Sequence, residues 1–151
     1  SGTATYSKTF PLSESDLAHN SKLMLNLGQV SIAATVSING QLVGTSWLAP
    51  HTLDVSDYVI AGDNHITIEV ANLWVNRLLA DRKLPDTSGF KIARWQDPIT
   101  LMPTWYTNNQ QPPATERITF STQRFMDDNE PSQASGLIGP VTISAISKTQ
   151  L

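Results

Sequence analysis

Cysteine is absent from these 151 residues. Disulfides, thiolate catalysis and cysteine-ligated zinc are thereby excluded. Charge is scarce as well. Asp, Glu, Lys and Arg make up 15% of the chain, against about 25% in a typical soluble domain. The surface is therefore expected to be rich in Ser, Thr, Asn and Gln rather than laced with ion pairs. A net charge of −3 and a pI near 5.5 leave no basic stripe for nucleic acid. No apolar run approaches the roughly 20 residues that a membrane span needs. The three histidines, His19, His51 and His65, have neither HxH nor HxxxH spacing, so zinc is not signalled. Phosphate loops and GxSxG nucleophile elbows are also missing.

Helix signals are few, and strand signals with turn punctuation recur. Thr3–Phe10 alternates aromatic and polar residues and reads as a first strand ended by Pro11. Residues 13–16 read as a short loop or one helical turn. Lys22–Leu27 and Ile32–Ile38 read as strands, with Gly28 turning the chain between them. Asn39-Gly40 is a strong hairpin signal, because both positions tolerate positive φ. Gln41–Val43 returns from it, and Thr52–Val55 is a further short strand. Ala61-Gly62-Asp63-Asn64 reads as a turn. After it Ile66, Ile68 and Val70 alternate with His65, Thr67, Glu69 and Ala71, so one face of that strand meets a core.

Residues 78–116 break the rhythm, with five prolines and with Trp95, Trp105 and Tyr106. They read as one long irregular loop, which in a compact domain is usually functional or disordered, and the aromatics argue against full disorder. Arg117–Arg124 and Val141–Ile146 read as closing strands, with a turn at 127–131 between them. The expectation is a single domain over residues 1–151, an all-β antiparallel β-sandwich carrying a long Pro/Trp-containing loop.

The chemistry concentrates after the alternating strand. Asn72-Leu73-Trp74-Val75-Asn76-Arg77 reads as a polar–aromatic loop that suits a sugar: indole covers the C–H faces of a pyranose, and amide and guanidinium groups bond its hydroxyl rim. The candidate carbohydrate-binding residues are Trp74, Asn76, Arg77, Asp81, Trp95 and Trp105. Each has a plainer role open to it. Asn72 is expected to scaffold its turn, and Arg77 can pair internally with Asp81. Trp95 and Trp105 can be buried beneath their loop, and Trp47, just after the hairpin, is expected in the core. Glycoside hydrolysis needs two carboxyl groups about 5–10 Å apart. Glu69, Asp81, Asp86, Asp97 and Glu116 sit in no motif that separates an acid from a nucleophile, so no catalytic residue is assigned. Asp127, Asp128, Asn129 and Glu130 carry oxygen ligands that suit calcium, but without EF-hand spacing. They read as an acidic surface turn, and no cofactor is expected.

In order along the chain, Gly2–Phe10, the Asn39-Gly40-Gln41-Leu42-Val43-Gly44 hairpin ("NGxxxG"), Asp54-Val55-Ser56 leading to Gly62-Asp63-Asn64, the Asn72–Leu78 run and Ser135-Gly136-Leu137-Ile138-Gly139-Pro140-Val141 resemble a known domain. It is the sugar-binding β-sandwich of the β-galactosidase/β-glucuronidase superfamily, in the version found in family 106 α-L-rhamnosidases. The resemblance implies a galactose-binding-domain-like jelly roll. It also implies a bacterial, secreted or periplasmic setting within a larger precursor, and partners that are an oligo- or polysaccharide and the catalytic domain of a parent glycosidase. In such enzymes the catalytic carboxylates lie on another domain. By resemblance Asn76, Arg77 and Asp81 would reach toward that active site. Two readings of different class follow: a non-catalytic carbohydrate-binding module, or a structural domain that buttresses a catalytic barrel without binding sugar alone.

Overall fold

The computed structural model describes residues 2–17, 21–85, 87–92, 99–114, 116–119 and 129–147. In chain order the elements are β1 (Gly2–Leu12), α1 (Glu14–Leu17), β2 (Ser21–Asn26), β3 (Gln29–Val30), β4 (Ala33–Ile38), β5 (Gln41–Ser46), β6 (Thr52–Asp54) and β7 (Gly62–Asn72). There follow α2 (Val75–Arg82), β8 (Lys91–Ile92), β9 (Ile99–Leu101), α3 (Thr104–Thr107), β10 (Leu137–Gly139) and β11 (Thr142–Ser147). The chain forms two compact units, one from Ser1–Leu73 with Ala134–Leu151, the other from Trp74–Gln133.

The first unit is an antiparallel β-sandwich. One sheet has the order β1-β7-β4-β5, and a second has the order β11-β2-β6, with β10 paired to β3. The core lies between the sheets because period-two alternation points every second side chain inward. Leu23 and Leu25 come from β2, Ala34, Val36 and Ile38 from β4, and Ile66, Ile68 and Val70 from β7. All eight are buried, and each large one contributes about 1.5–3 kcal/mol by leaving water. On β7 the apolar set is buried as its alternation requires, while His65 and Glu69 are exposed.

The Asn39-Gly40 hairpin forms as its residues demand, with φ of 52° and 79° and Ile38 paired to Gln41. β5 then runs on to Ser46, past the three residues its sequence suggested. A register shift explains how: Val36 faces Gly44 while Ser37 faces Leu42, so Val43 is an extra, bulged residue. Ile32 does not open β4; it has φ 97° and is exposed.

Three local expectations fail here for identifiable reasons. β1 does not end at Pro11, which pairs with Asp63. β1 is an edge strand, so proline's missing N–H can face away from the ladder. The supposed turn at 61–64 is instead the start of β7, because the amide of Asn64 does the turn's bonding from inside. Asn64 is fully buried. Its Oδ1 accepts the Ile60 N–H (2.8 Å) and the Asn39 Nδ2–H (2.9 Å), and its Nδ2 donates to Ile60 O (2.8 Å) and Gly62 O (3.1 Å). Asn39 also donates to Tyr58 O and accepts the His65 N–H, both at 2.9 Å. Finally, Trp47 is not in the core; it is 74% exposed, with Leu48 at 69%. The loop that carries both is closed behind them, where Ser46 Oγ lies 2.9 Å from His51 Nδ1 and His51 O accepts the Leu27 N–H.

The run Ser135–Val141 is explained by close backbone approach. Gly136 has φ 86°, and a Cβ there would meet the Tyr6 hydroxyl. Gly28 (φ 65°) lies against Gly139, so a Cβ on it would overlap the Gly139 carbonyl. Asn72 does scaffold: its Oδ1 accepts from Ser135 Oγ and Gly136 N, both at 2.8 Å.

Replacing Asn64 by Ala removes four bonds and leaves buried backbone groups unpaired. Urea unfolding of Asn64→Ala should show a loss of about 3 kcal/mol. The outward-facing substitution Glu69→Gln should stay within about 0.5 kcal/mol of the parent.

Candidate functional site

In the second unit, residues expected to form a polar–aromatic loop form a helix instead. α2 is built of good helix formers (Arg77, Leu78, Leu79, Ala80) and buries Leu79. Its start is hard to see in the sequence because Trp74 stands at the cap and makes no side-chain cap bond. Pro85 makes continuation past Leu84 unfavourable. The stretch read as one long loop thus contains most of α2, the short β8–β9 pair and α3. Residues 117–119, expected to begin a strand, are irregular, and 120–124 lie outside the described residues.

The polar candidates on α2 bond to nearby backbone. Asn76 Nδ2 donates to Gln133 O (2.7 Å), and its Oδ1 accepts the Gln133 N–H (2.8 Å). Asp81 is 1% exposed. Its Oδ2 accepts the Thr119 N–H and hydroxyl, each at 2.6 Å, and the Ile118 N–H at 3.0 Å. Its own carbonyl accepts Arg117 Nε–H at 2.9 Å. Residues 117–119 are thus fastened to the helix through one residue, Asp81, by its carbonyl and its carboxylate. Arg77 Nη2 lies 2.6 Å from Asp81 Oδ1 and donates to Glu116 O at 3.3 Å. That ion pair is close but poorly aligned: Arg77 Nε and Asp81 Oδ1 are buried without a hydrogen-bond partner among the described residues. Burial alone would raise the Asp81 pKa. The Thr119 and Ile118 donors and the Arg77 charge outweigh it and hold the carboxyl below the ordinary value of 3.8.

Two aromatic features remain. Trp74 is 53% exposed, and its carbonyl accepts the Leu78 N–H, which fixes the residue to the first turn of α2. Trp105 on α3 donates its indole N–H to Ser88 O at 2.6 Å. Its ring meets Phe90 edge-on (centroids 5.5 Å apart, 84°) and Tyr106 (5.8 Å, 87°), and Phe90 meets Tyr106 at 5.7 Å. This trio lines a cavity of about 280 Å³ with Pro112, Pro113 and Ile118. The sequence suggested Trp105 but gave no sign of Phe90, 15 positions earlier.

The structure therefore gathers Asn76, Arg77 and Asp81 on one helix and places Trp105 in an aromatic cluster. Trp95, Asp86 and Asp97 lie outside the described residues, as do Asp127 and Asp128 of the acidic turn. Among the described residues no group of three or more His, Asp or Glu is placed to hold a metal ion.

A carboxyl whose folded pKa lies below its unfolded value adds stability that is complete above about pH 4 and is lost as pH falls through the folded pKa. Asp81 acts in this way. So does Asp54, held at about 2 by the Ser56 hydroxyl, Lys22 and the Ser56 N–H. Stability should therefore fall steadily from pH 4 to pH 2. Asp81→Asn should be less stable than the parent at pH 7 and show a shallower decline in that window, as read by thermal unfolding at each pH.

A family model described as "Glycosyl hydrolase 2 galactose-binding domain-like" matches residues 1–102. A putative beta-glucuronidase of Formosa agariphila is 42% identical over all 151 residues, which span 13% of that relative's length. The solved structure of a rhamnosidase from Novosphingobium sp. PP1Y superposes with a TM-score of 0.67 at 34% identity, covering 95% of this chain and 11% of that one. The galactose-binding-like β-sandwich expected from the sequence motifs is therefore what these residues form, and the chain belongs to the glycosyl hydrolase 2 galactose-binding domain-like family.

Proposed function

We propose that the chain is a non-catalytic carbohydrate-binding β-sandwich domain of a bacterial glycoside hydrolase, of the α-L-rhamnosidase type, acting on plant polysaccharide. The observation that carries this reading is the pairing of exposed aromatic rings with fastened backbone in the second unit. Trp74 and Tyr106 are each more than half exposed, yet Trp74 adjoins the turn of α2 that Asn76 fastens, and Tyr106 is packed against Phe90 and Trp105. A sugar's C–H face stacks best on a ring already fixed in place, because no side-chain entropy is then lost. Arg77, 37% exposed at its side chain, offers donors to the hydroxyl rim. Support for a non-catalytic role comes from Asp81, whose buried Oδ2 already accepts three hydrogen bonds, and from the small share of the curated relative that the chain covers.

A second reading has its own observation. Trp47 and Leu48, both about 70% exposed on one closed loop, suit a protein neighbour better than water. They favour a buttress that holds a catalytic domain.

Affinity electrophoresis of the chain in gels containing rhamnose-rich plant polysaccharide separates the two. Retardation is expected, and Trp74→Ala and Tyr106→Ala should each weaken it by about 0.5–1.5 kcal/mol, the worth of one stacked ring. Absence of retardation on every glycan would leave the buttress role. Retardation indifferent to both substitutions would remove these rings from the site.

A further inference from the structure

The second unit folds a cavity of its own. β8 and β9 pair antiparallel, with Lys91 opposite Leu101. That register lays the residues just before β8 beside those just after β9, so Phe90 comes to lie against α3. Gly89 completes the approach. Its φ is 77°, and a Cβ on it would stand 3.1 Å from the Pro103 Cβ. Phe90, Trp105 and Tyr106 then meet edge to face, at interplanar angles of 84°, 64° and 87°. Rings set nearly at right angles form a corner, not a stack. The cavity at this corner measures about 280 Å³. Pockets for drug-sized ligands occupy roughly 300–1,000 Å³, so this one holds a single ring and not a chain of them.

The lining is fixed without a ligand. The Trp105 indole N–H is tied to Ser88 O at 2.6 Å, and Ile118 and Thr119 are held by Asp81 Oδ2 at 3.0 and 2.6 Å. The same ties decide what the cavity accepts. A sugar ring brings hydroxyls that need partners. Here the Thr119 hydroxyl, the Trp105 indole N–H and Arg117 Nε have already given their hydrogens to Asp81 and Ser88. A quaternary ammonium suits an aromatic cage, but Arg117 lines this one and opposes a second cation. An aryl ring needs no hydrogen bond. It gains edge-to-face contact with aromatic walls and C–H contact from Pro112 and Pro113.

We propose that this cavity is a binding site for one aromatic ring, either free or carried on a glycoside as its aryl group. The site lies wholly within the second unit, and Trp74 is not part of its lining. It therefore stands apart from the sugar-stacking role given to Trp74, and it holds even if no polysaccharide is retained.

The test follows the NMR resonances of the isotope-labelled 151-residue chain while three probes are added in turn: methyl para-hydroxybenzoate, phenyl glucoside and methyl glucoside. At least one of the two aryl probes should give saturable shifts at Phe90, Trp105, Tyr106 and Ile118, with a Kd of about 1 mM or tighter, as a one-ring ligand allows. Response to the ester, to phenyl glucoside or to both tells whether the ring is taken free, on a sugar or either way. Methyl glucoside, which lacks the ring, should leave these resonances still. Tyr106 is 55% exposed, so Tyr106→Ala should keep the fold and weaken aryl binding about threefold or more. Trp105→Leu should weaken it further, with thermal unfolding reporting whether that variant is folded. The proposal is overturned if neither aryl probe gives saturable shifts at these residues, if methyl glucoside matches them, or if Tyr106→Ala binds as tightly as the parent. Retardation on polysaccharide is a separate measurement, so failure of one reading does not decide the other.

Discussion

Where a chain leaves a sheet it exposes backbone N–H and C=O groups that must find partners, and at several described places in this protein side-chain amides and carboxylates supply them. Asn64 and Asn39 do this for the hairpin and the entry to β7, and Asn72 does it for the approach to β10. Asn76 and Asp81 do it for the loops around α2. The low charge content therefore does not mean a featureless surface. The polar residues lie at the ends of elements, where a neutral amide can offer a donor and an acceptor together. The β-sheet core supplies most of the favourable burial, but these ties decide the course of the chain between strands.

The two units show this division differently. In the first, alternation does most of the work: inward Leu, Val and Ile from two sheets meet, and the turns follow from Asn39, Gly28 and Gly136 holding backbone conformations that other residues resist. In the second, few of the described residues are buried apolar ones, and the polar ties carry more. Asp81 alone holds three hydrogen bonds from residues 118 and 119, at the cost of a buried carboxylate only partly balanced by Arg77. Such an arrangement sets position more than it adds stability.

Legibility in the sequence followed the range of the determining interaction. β7, β2, β11 and the Asn39-Gly40 hairpin were readable, because alternation and turn chemistry act over a few residues. The role of Asn72 and the Arg77–Asp81 pair were readable for the same reason. Asn64 looked like a turn residue because its bonds do close a turn, but they do so from a buried strand position. Trp47 was expected in the core because it directly follows the hairpin; the Ser46–His51 contact behind its exposed loop has no signature in the spacing. α2 was obscured by an uncapped start and only two turns of length. The cluster around Trp105 depends on Phe90, and the tie at Asp81 depends on Thr119, 38 positions away. Spacing cannot reveal partners at that distance.

Pro11 makes the two edge strands β1 and β11 unlike one another. Close to the end of β1 the ring removes one donor from a strand whose outer edge has no strand partner among the described residues. A neighbouring chain laid along that edge would lose its register at this point. β11 contains no proline, so its backbone is readable along its whole length. Of these two edge strands of the first unit, the one that carries the proline is the poorer template for a further strand.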